Sequence, residues 1–286
     1  MSNVIETAKE LLSSGKVGII IGYQGENNKT WPVFITKPED AGKLVFNNYS
    51  LNNLSVYLTK KELKANGKIG IFAKPCDVKS IIMLIKENQI KRDEVYIIGM
   101  NCGGVVNDFG VDFSKDTIAN RCIVCDSKTA EIFDVLLGDQ VNFDGLKDEH
   151  LEKIKSVDSL APEEKFDLWE KEFDKCIRCY ACRQACPLCY CEKCIADKSV
   201  PEWIESSATK RGNFAWNLIR AFHLGGRCVG CNECERACPV DIPLSLLNRK
   251  MAIFIKDEFD YVSGRNPDSP TLVGSYNNND REDFIK

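Results

Sequence analysis

Hydrophobic positions change their spacing along the first hundred residues, and the changes predict alternating helices and strands. Residues 3–14 have the pattern of an amphipathic helix, and the apolar runs at Val17–Ile21 and Trp31–Ile35 have strand length. Apolar side chains return at helical intervals over residues 51–65, which predicts a further helix. The opening of the chain is therefore expected to form a helix, two strands and a helix.

A strand, a helix and a second strand follow, and they form the clearest pattern of the first half. Lys68–Ala73 and Glu94–Met100 are short apolar runs, and residues 78–88 between them have helical spacing, with Asp77 as the expected N-cap. A helix that connects two strands in this way brings them together as parallel neighbours. The unit predicts an α/β domain with a parallel βαβ core.

Length and composition permit two modest domains and narrow the range of partners. The chain has 286 residues, of which 44% are hydrophobic and 28% charged, and its net charge is −4. A negative balance disfavours nucleic acid or an anionic membrane surface as the main partner. No apolar run approaches the roughly 20 residues of a membrane span, and no export signal opens the chain, so we expect a cytoplasmic protein without a membrane span.

Fifteen cysteines against two histidines are the strongest bias in the sequence, and most of the cysteines fall into one pattern written twice. Each copy reads Cys-x-x-Cys-x-x-Cys-x-x-x-Cys-Pro, and the copies lie 52 residues apart. The first copy consists of Cys176, Cys179, Cys182, Cys186 and Pro187, and the second of Cys228, Cys231, Cys234, Cys238 and Pro239. Thiolates in such a run suit a 4Fe–4S cubane, because the tight turns between them aim backbone N–H groups at the sulfur atoms.

The repeated pattern resembles that of bacterial two-cluster ferredoxins, in which each motif lends its fourth cysteine to the other cluster. The resemblance implies an α+β dicluster ferredoxin-like domain with a helical insertion between the motifs. It implies one-electron transfer as the chemistry. The implied ligand sets are Cys176, Cys179, Cys182 and Cys238 for the first cluster, and Cys228, Cys231, Cys234 and Cys186 for the second.

Other uses of these cysteines are weaker interpretations. A disulfide framework is disfavoured because the number of cysteines is odd and no export signal is visible. Zinc sites usually combine two cysteine pairs without a third cysteine in register. The two histidines, His150 and His223, are isolated, which disfavours a His-ligated cluster of the Rieske type.

Four more cysteines belong to the first half. Cys76 and Cys102 each follow a predicted parallel strand, and the carboxyl ends of such strands are where open α/β sheets bind ligands. These two cysteines are therefore expected to converge although they are distant in sequence. Cys122 and Cys125 form a Cys-x-x-Cys pair further along the chain.

Four short motifs surround or follow these cysteines: Lys74-Pro75-Cys76-Asp77-Val78, Gly99-Met100-Asn101-Cys102, Arg121-Cys122-Ile123-Val124-Cys125-Asp126 and Asp134-Val135-Leu136-Leu137-Gly138. They resemble the corresponding segments of the beta subunits of deazaflavin (coenzyme F420)-reducing hydrogenases and of related formate dehydrogenases. The resemblance implies a third 4Fe–4S cluster on Cys76, Cys102, Cys122 and Cys125, beside a flavin, so FAD is a further candidate cofactor. Structural thiols with a small zinc site are the alternative.

Cys189, Cys191 and Cys194 directly follow the first motif, and two interpretations stay open. They are either buried thiols beside a cluster or part of an additional site completed by a non-cysteine ligand such as Asp197.

These features predict an iron–sulfur subunit that relays single electrons within an anaerobic oxidoreductase complex. The expected partners are other subunits of a hydrogenase, formate dehydrogenase or flavin type, or ferredoxin. No catalytic residue is predicted, because no general base, nucleophile or nucleotide-binding loop is visible. A flavin-containing oxidoreductase subunit is the main alternative, and a zinc structural module is a third. The expected domains are residues 1–160 (α/β), 161–262 (dicluster) and 263–286 (polar tail).

Overall fold

A mixed sheet forms the centre of the first half, and its strands lie close to the predicted apolar runs. The structure is a computed structural model that describes residues 2–139, 148–276 and 278. The strands are β1 Ile19–Glu26, β2 Lys29–Ile35, β3 Ile69–Ala73, β4 Val95–Met100 and β5 Val135–Leu137. The helices are α1 Ser2–Ser13, α2 Lys61–Lys64, α3 Pro75–Lys86, α4 Asn120–Ile123, α5 Glu149–Asp158, α6 Pro162–Asp174, α7 Ala181–Gln184, α8 Lys210–His223, α9 Glu233–Arg236 and α10 Leu244–Phe259.

The strand order confirms the predicted βαβ unit. Across the sheet the order is β2-β1-β3-β4-β5, and only the β1–β2 pair is antiparallel. In the β3–β4 pair Ile69 lies opposite Val95 and Ala73 opposite Gly99, and α3 connects the two strands. The α/β class predicted for the first half is therefore confirmed, and the carboxyl ends of β3, β4 and β5 share one edge.

Both faces of this sheet are buried, which explains why its strands read as continuous apolar runs. Ile19 and Ile21 pack on the face that α3 covers, whereas Ile20 between them packs on the face that α1 covers. Neighbouring residues of a strand point to opposite sides, so a single run supplies both cores. Full burial of each such side chain contributes roughly 1.5–3 kcal/mol.

The helix predicted over residues 51–65 is wrong. The structure has a 3₁₀ turn at Leu54–Tyr57 and the short α2 in its place. The Asn53 side chain caps the turn, and the Leu54 N–H donates to Asp77 Oδ1 at 3.0 Å. These side-chain bonds to the backbone replace the helical ladder, and the leucines still reach the core.

The expected N-cap of α3 is also wrong, by one turn. The helix begins at Pro75, a residue whose missing N–H suits a first helical position. Asp77 lies inside the first turn, where its carboxylate accepts a hydrogen bond from the Lys74 N–H at 2.7 Å. The acidic side chain still stabilises the start of the helix, near the positive end of the helix dipole.

The two cysteine motifs adopt the same backbone conformation. Arg178 and Tyr180 in the first motif have positive φ, as do Gly230 and Asn232 at the equivalent positions of the second. Helix α7 follows Tyr180 and α9 follows Asn232, and the two short helices contact each other. The repeat in the sequence is therefore a repeat in the structure.

The α+β character expected of the second half is not confirmed. Between residues 161 and 262, all of which the structure describes, there are helices, turns and one isolated bridge that joins Ser199 to Glu202. Helices α8 and α10 pack around the motifs, so helix packing supplies the core there. The end of the predicted tail lies largely outside the described residues. In the described part of the chain, no helix combines the length and apolar character needed to cross a bilayer.

The second half packs onto the sheet through apolar and charged contacts. Leu188 and Leu224 are 2% and 3% exposed and belong to the core that α3 covers. Arg227 forms two hydrogen bonds with the Glu87 carboxylate, at 2.7 and 2.9 Å, and the Tyr190 hydroxyl donates to the same carboxylate at 2.5 Å. Paired Arg–carboxylate bonds of this kind fix orientation as well as supplying energy.

We expect Glu87→Gln to weaken the packing of the two halves. The substitution removes the charge that Arg227 and Tyr190 share, and hydrogen bonds to charged groups are worth about 1.5–3 kcal/mol each. The free energy of unfolding, measured by chemical denaturation under anaerobic conditions, should fall by about that amount. Lys61→Gln is the matched control, because the Lys61–Glu192 pair also joins the halves but is fully exposed. If both substitutions lowered the free energy of unfolding equally, Glu87 would not have the role in packing the two halves that is assigned to it.

Candidate metal centres

The carboxyl edge of the parallel sheet carries two of the predicted ligand cysteines. Cys76 lies in the first turn of α3, directly beyond β3, and Cys102 lies just beyond β4. The Cys102 N–H donates to the Lys128 carbonyl at 3.0 Å, which ties this edge to the loop that carries Cys122 and Cys125. The convergence of Cys76 and Cys102 expected from the strand pattern is found.

One cavity of about 240 Å³ opens at this edge. All four of these cysteines line it, and so do Cys228 and Cys231 of the second motif. Asn248, Ala252 and Lys256 of α10 close another side. The four cysteines of the first half and the second motif therefore face the same space.

Backbone N–H groups point at two sulfur atoms in this cavity. Gly104 N donates to Cys102 Sγ at 3.4 Å, and Val105 N donates to Cys122 Sγ at the same distance. Gly104 has φ +108°, and a Cβ atom there would lie 2.7 Å from Ile118 Cδ1. Glycine is therefore required at this position, both by its conformation and by the space available.

Two further cavities each contain one of the ligand sets implied by the ferredoxin resemblance. The exchanged fourth cysteines, Cys238 and Cys186, lie with the set to which the resemblance assigns them. Cys176, Cys179, Cys182 and Cys238 line one cavity, together with Trp216 and Ile242. Cys186, Cys228, Cys231 and Cys234 line the other, together with Arg220 and Asn248.

Burial controls the protonation of these thiols. Loss of solvent raises the pKa of Cys102 and of Cys228 to about 11, and that of Cys234 to about 12. It also raises the pKa of Cys76 and of Cys231 well above the usual value of a thiol. Thiolates in these cavities therefore need a strongly positive centre to stabilise them, which is what a bound metal supplies.

A buried ion pair joins the loop of Cys122 to the loop of Cys231. Arg121 Nη1 lies 2.6 Å from Glu233 Oε1, and the two side chains are 9% and 3% exposed. The same nitrogen donates to the Cys231 carbonyl at 2.9 Å. Burial opposes the charge of Glu233, but Arg121 and then Arg236 hold the pKa of that carboxyl below its usual value. This pair was not predicted, although Arg121 and Glu233 each stand directly before a motif cysteine.

A second buried cation, also missed in the sequence, supports the first turn of α3. Lys74 is 2% exposed, and its ammonium lies 3.0 Å from Asp77 Oδ2. It also donates to the Tyr23 hydroxyl and, at 2.7 Å, to the Asn52 carbonyl. Burial opposes this charge, but Asp77 and then Tyr23 hold the pKa of Lys74 above its usual range. The network fixes the turn that carries Cys76.

The three additional cysteines occupy different surroundings. Cys189 is hydrogen-bonded to Cys186, and that bond lowers the pKa of the Cys189 thiol. Cys191 is exposed, and Cys194 is half-buried. Asp197, the candidate non-cysteine ligand, forms an ion pair with Arg183 at 2.7 Å. In the part of the chain that the structure describes, no three His, Cys, Asp or Glu side chains close around a single metal ion. The two interpretations of these cysteines remain predictions.

Two relatives cover most of the chain, and both are formate dehydrogenase subunits. The F420-dependent formate dehydrogenase subunit beta of Methanocaldococcus jannaschii is 27% identical over 84% of this chain and 85% of its own length. The F420-dependent formate dehydrogenase 1 subunit beta of Methanococcus maripaludis is 23% identical over 85% of this chain and 84% of its own length. These relatives confirm the family resemblance seen in the motifs of the first half.

A third relative matches a shorter part. The acetyl-CoA decarbonylase/synthase complex subunit alpha 1 of Methanosarcina mazei is 28% identical over 38% of this chain, which corresponds to 11% of its own length. No protein-family profile matches the chain. Over most of its length the chain is thus similar to the beta subunits of F420-dependent formate dehydrogenases.

We expect Arg121→Met to destabilise the protein by about 3 kcal/mol, because it removes the main counter-charge of a buried carboxylate. Glu233→Met should do the same to Arg121. The double variant should lose clearly less than the sum of the two single losses, since neither charge is then left buried alone. Chemical denaturation of the four proteins under anaerobic conditions measures this coupling. Additive losses would mean that the pair does not act as a unit.

Proposed function

We propose that this chain is the iron–sulfur electron-transfer subunit of an oxidoreductase complex of the formate dehydrogenase type. One observation carries the proposal: the four cysteines of each predicted set line one cavity together. The three sets draw on residues as far apart as Cys76 and Cys238. Such grouping is what three separate 4Fe–4S clusters require of the fold.

The donors present fit such clusters. Each set offers four thiols, which are the protein ligands of a cubane. Donors also surround the sulfur atoms: Gly104 N and Val105 N at the third set, and Asn248 Nδ2 at 3.5 Å from Cys234 Sγ in the second. The positive φ values in both motifs build turns whose N–H groups favour anions.

The arrangement supports a linear relay. The second and third sets border one cavity, since Cys228 and Cys231 line it together with the cysteines of the first half. The second and first sets are linked by the exchanged cysteines Cys186 and Cys238. A bound cluster would accept and pass on one electron at a time. The chain's own contribution is to hold the three sites close together.

The proposed partners follow from the relatives. Both long relatives are named as beta subunits of F420-dependent formate dehydrogenases, and they match this chain over most of its length. We infer that this chain likewise works beside another redox subunit of such a complex. No bond-making step is assigned to its residues.

Iron analysis tests the proposal. Anaerobically purified protein should contain about twelve iron atoms per chain, four for each cubane. Cys102→Ser should remove about four of them and leave the ferredoxin-type pair intact. Iron content and the electron paramagnetic resonance (EPR) spectrum of the reduced protein provide the measurement.

Cys191→Ser is the matched control for this substitution. Its thiol is exposed and lies in none of the three cavities, so iron content should not change. A loss of iron in Cys191→Ser would instead support an additional site at the three extra cysteines. Zinc without iron in the wild-type protein would exclude the relay, and about eight iron atoms would exclude the third cluster.

A flavin-containing subunit is the second candidate, and the charge of the cavity at the carboxyl edge of the sheet favours it. Six cationic side chains line it, namely Lys74, Lys79, Arg121, Lys128, Arg249 and Lys256, against the carboxylate of Asp126. Four of them, Lys74, Lys79, Arg121 and Arg249, already form ion pairs with carboxylates. Cations suit the pyrophosphate of FAD. Its volume of about 240 Å³ lies below the range of roughly 300–1,000 Å³ typical of small-molecule sites, so the cavity would have to widen.

If FAD binds, Lys256→Gln should weaken flavin retention several-fold while iron content stays constant, because the substitution removes a cation from the cavity without touching a cysteine. Absorbance at the flavin bands and mass spectrometry of the released cofactor measure this. A protein that retains no flavin after reconstitution under anaerobic conditions would exclude the second candidate and leave the iron–sulfur relay unaffected.

A further inference from the structure

Arg220 is a buried cation that has no counter-ion among the described residues. It lies near the end of α8 and is 4% exposed. One of its terminal nitrogens donates to the Cys182 carbonyl at 3.1 Å, and its Nε is buried without any hydrogen-bond partner. No carboxylate in the described part of the chain pairs with it. A guanidinium is charged at all physiological pH values, so this charge is permanent.

The surroundings of Arg220 are thiols. It lines the cavity of the second set together with Cys186, Cys228, Cys231 and Cys234. Its strongest charge interactions in this region are with Cys234 and Cys186, ahead of those with Cys189 and Cys182. The Arg220 Nε–H, which has no hydrogen-bond partner, therefore lies in a cavity that four cysteine residues line. Asn248, which donates to Cys234 Sγ, lies at the same cavity.

A buried lone cation is costly unless an anion shares its cavity. A cubane with four thiolate ligands carries net negative charge, and its sulfur atoms accept hydrogen bonds. A cluster in the second set would supply both the missing counter-charge and the missing acceptor. Such a cluster would lie closer to Arg220 than a cluster in the first set, because Arg220 lines the cavity of the second set and is not among the residues that line the cavity of the first.

We propose that Arg220 is the built-in counter-charge of the second iron–sulfur cluster and raises its reduction potential relative to that of the first. The proposal rests on the proposed function, since it requires both clusters to be present. A fixed positive charge stabilises the reduced, more negative state of the nearby cluster. An electron shared by the pair then resides preferentially on the second cluster, the one that borders the third site.

The test replaces the charge and measures the potential. In Arg220→Gln, the equilibrium that distributes one electron between the second and the first cluster should shift at least tenfold towards the first, about 59 mV in the difference of their potentials. Arg220→Lys keeps the charge and should shift that equilibrium less than threefold. Redox titration followed by EPR spectroscopy gives both potentials, and the signal absent from Cys228→Ser identifies the second cluster.

Three results decide between the possibilities. An unchanged difference of potentials in Arg220→Gln with full iron content would overturn the proposal, and so would an equal shift of both clusters. If the Arg220→Gln protein does not load iron, Asn248→Asp provides a second test. This variant places a negative charge at Cys234 while Arg220 stays in place. The variant should lower the potential of the second cluster relative to that of the first, and an unchanged difference would refute the electrostatic role. A wild-type protein without iron would instead refute the proposed function.

Discussion

The buried ion pair between Arg121 and Glu233 is the contact on which the proposed relay depends. It stands where the carboxyl edge of the sheet meets the second cysteine motif, with Cys122 beside the arginine and Cys234 beside the carboxylate. Apolar packing alone would allow the halves to slide against each other. The interaction energy of a charged pair in a water-poor site depends steeply on its geometry, so the pair fixes the position of one loop relative to the other. Arg121 also holds the Cys231 carbonyl, which extends this constraint into the second set.

Buried cations occur together with thiols around two of the three cavities, those of the third and the second set, and their pairing explains the electrostatics there. Lys74 and Arg121 have carboxylate partners of their own, so they act mainly on the position of the loops. Arg220 has no such partner among the described residues and faces sulfur atoms directly. Burial meanwhile raises the pKa of thiols such as Cys234, which disfavours free thiolates. An anionic metal cluster in the cavity would supply the counter-charge that Arg220 lacks. Its iron atoms would at the same time stabilise the thiolates, whose formation burial disfavours.

The sequence predicts what depends on local periodicity and misses what depends on distant contacts. Strands β3 and β4 could be predicted because both faces of the sheet are buried, and the cysteines at their ends could be predicted to converge from the parallel topology. The segment 51–65 has helical spacing but is held in turns by Asn53 and Asp77, and the latter lies more than twenty residues away. The pairing of Arg121 with Glu233 spans 112 residues and produces no periodic pattern in the sequence that could predict it. The lack of a carboxylate at Arg220 is visible only once the cavity is formed.

The two ends of the proposed relay differ, and the difference suits two redox partners that approach the chain in different ways. At one end Cys179 of the first set is exposed, so a cluster there would lie close to the surface. At the other end the third set borders a cavity of about 240 Å³ with several cations in its lining, a site that can receive an anionic group. The second set shares the cavity of the third through Cys228 and Cys231, and its fourth cysteine, Cys186, belongs to the first motif of the sequence. In the proposed relay, each end would therefore offer a redox partner a different kind of access to the same row of thiols.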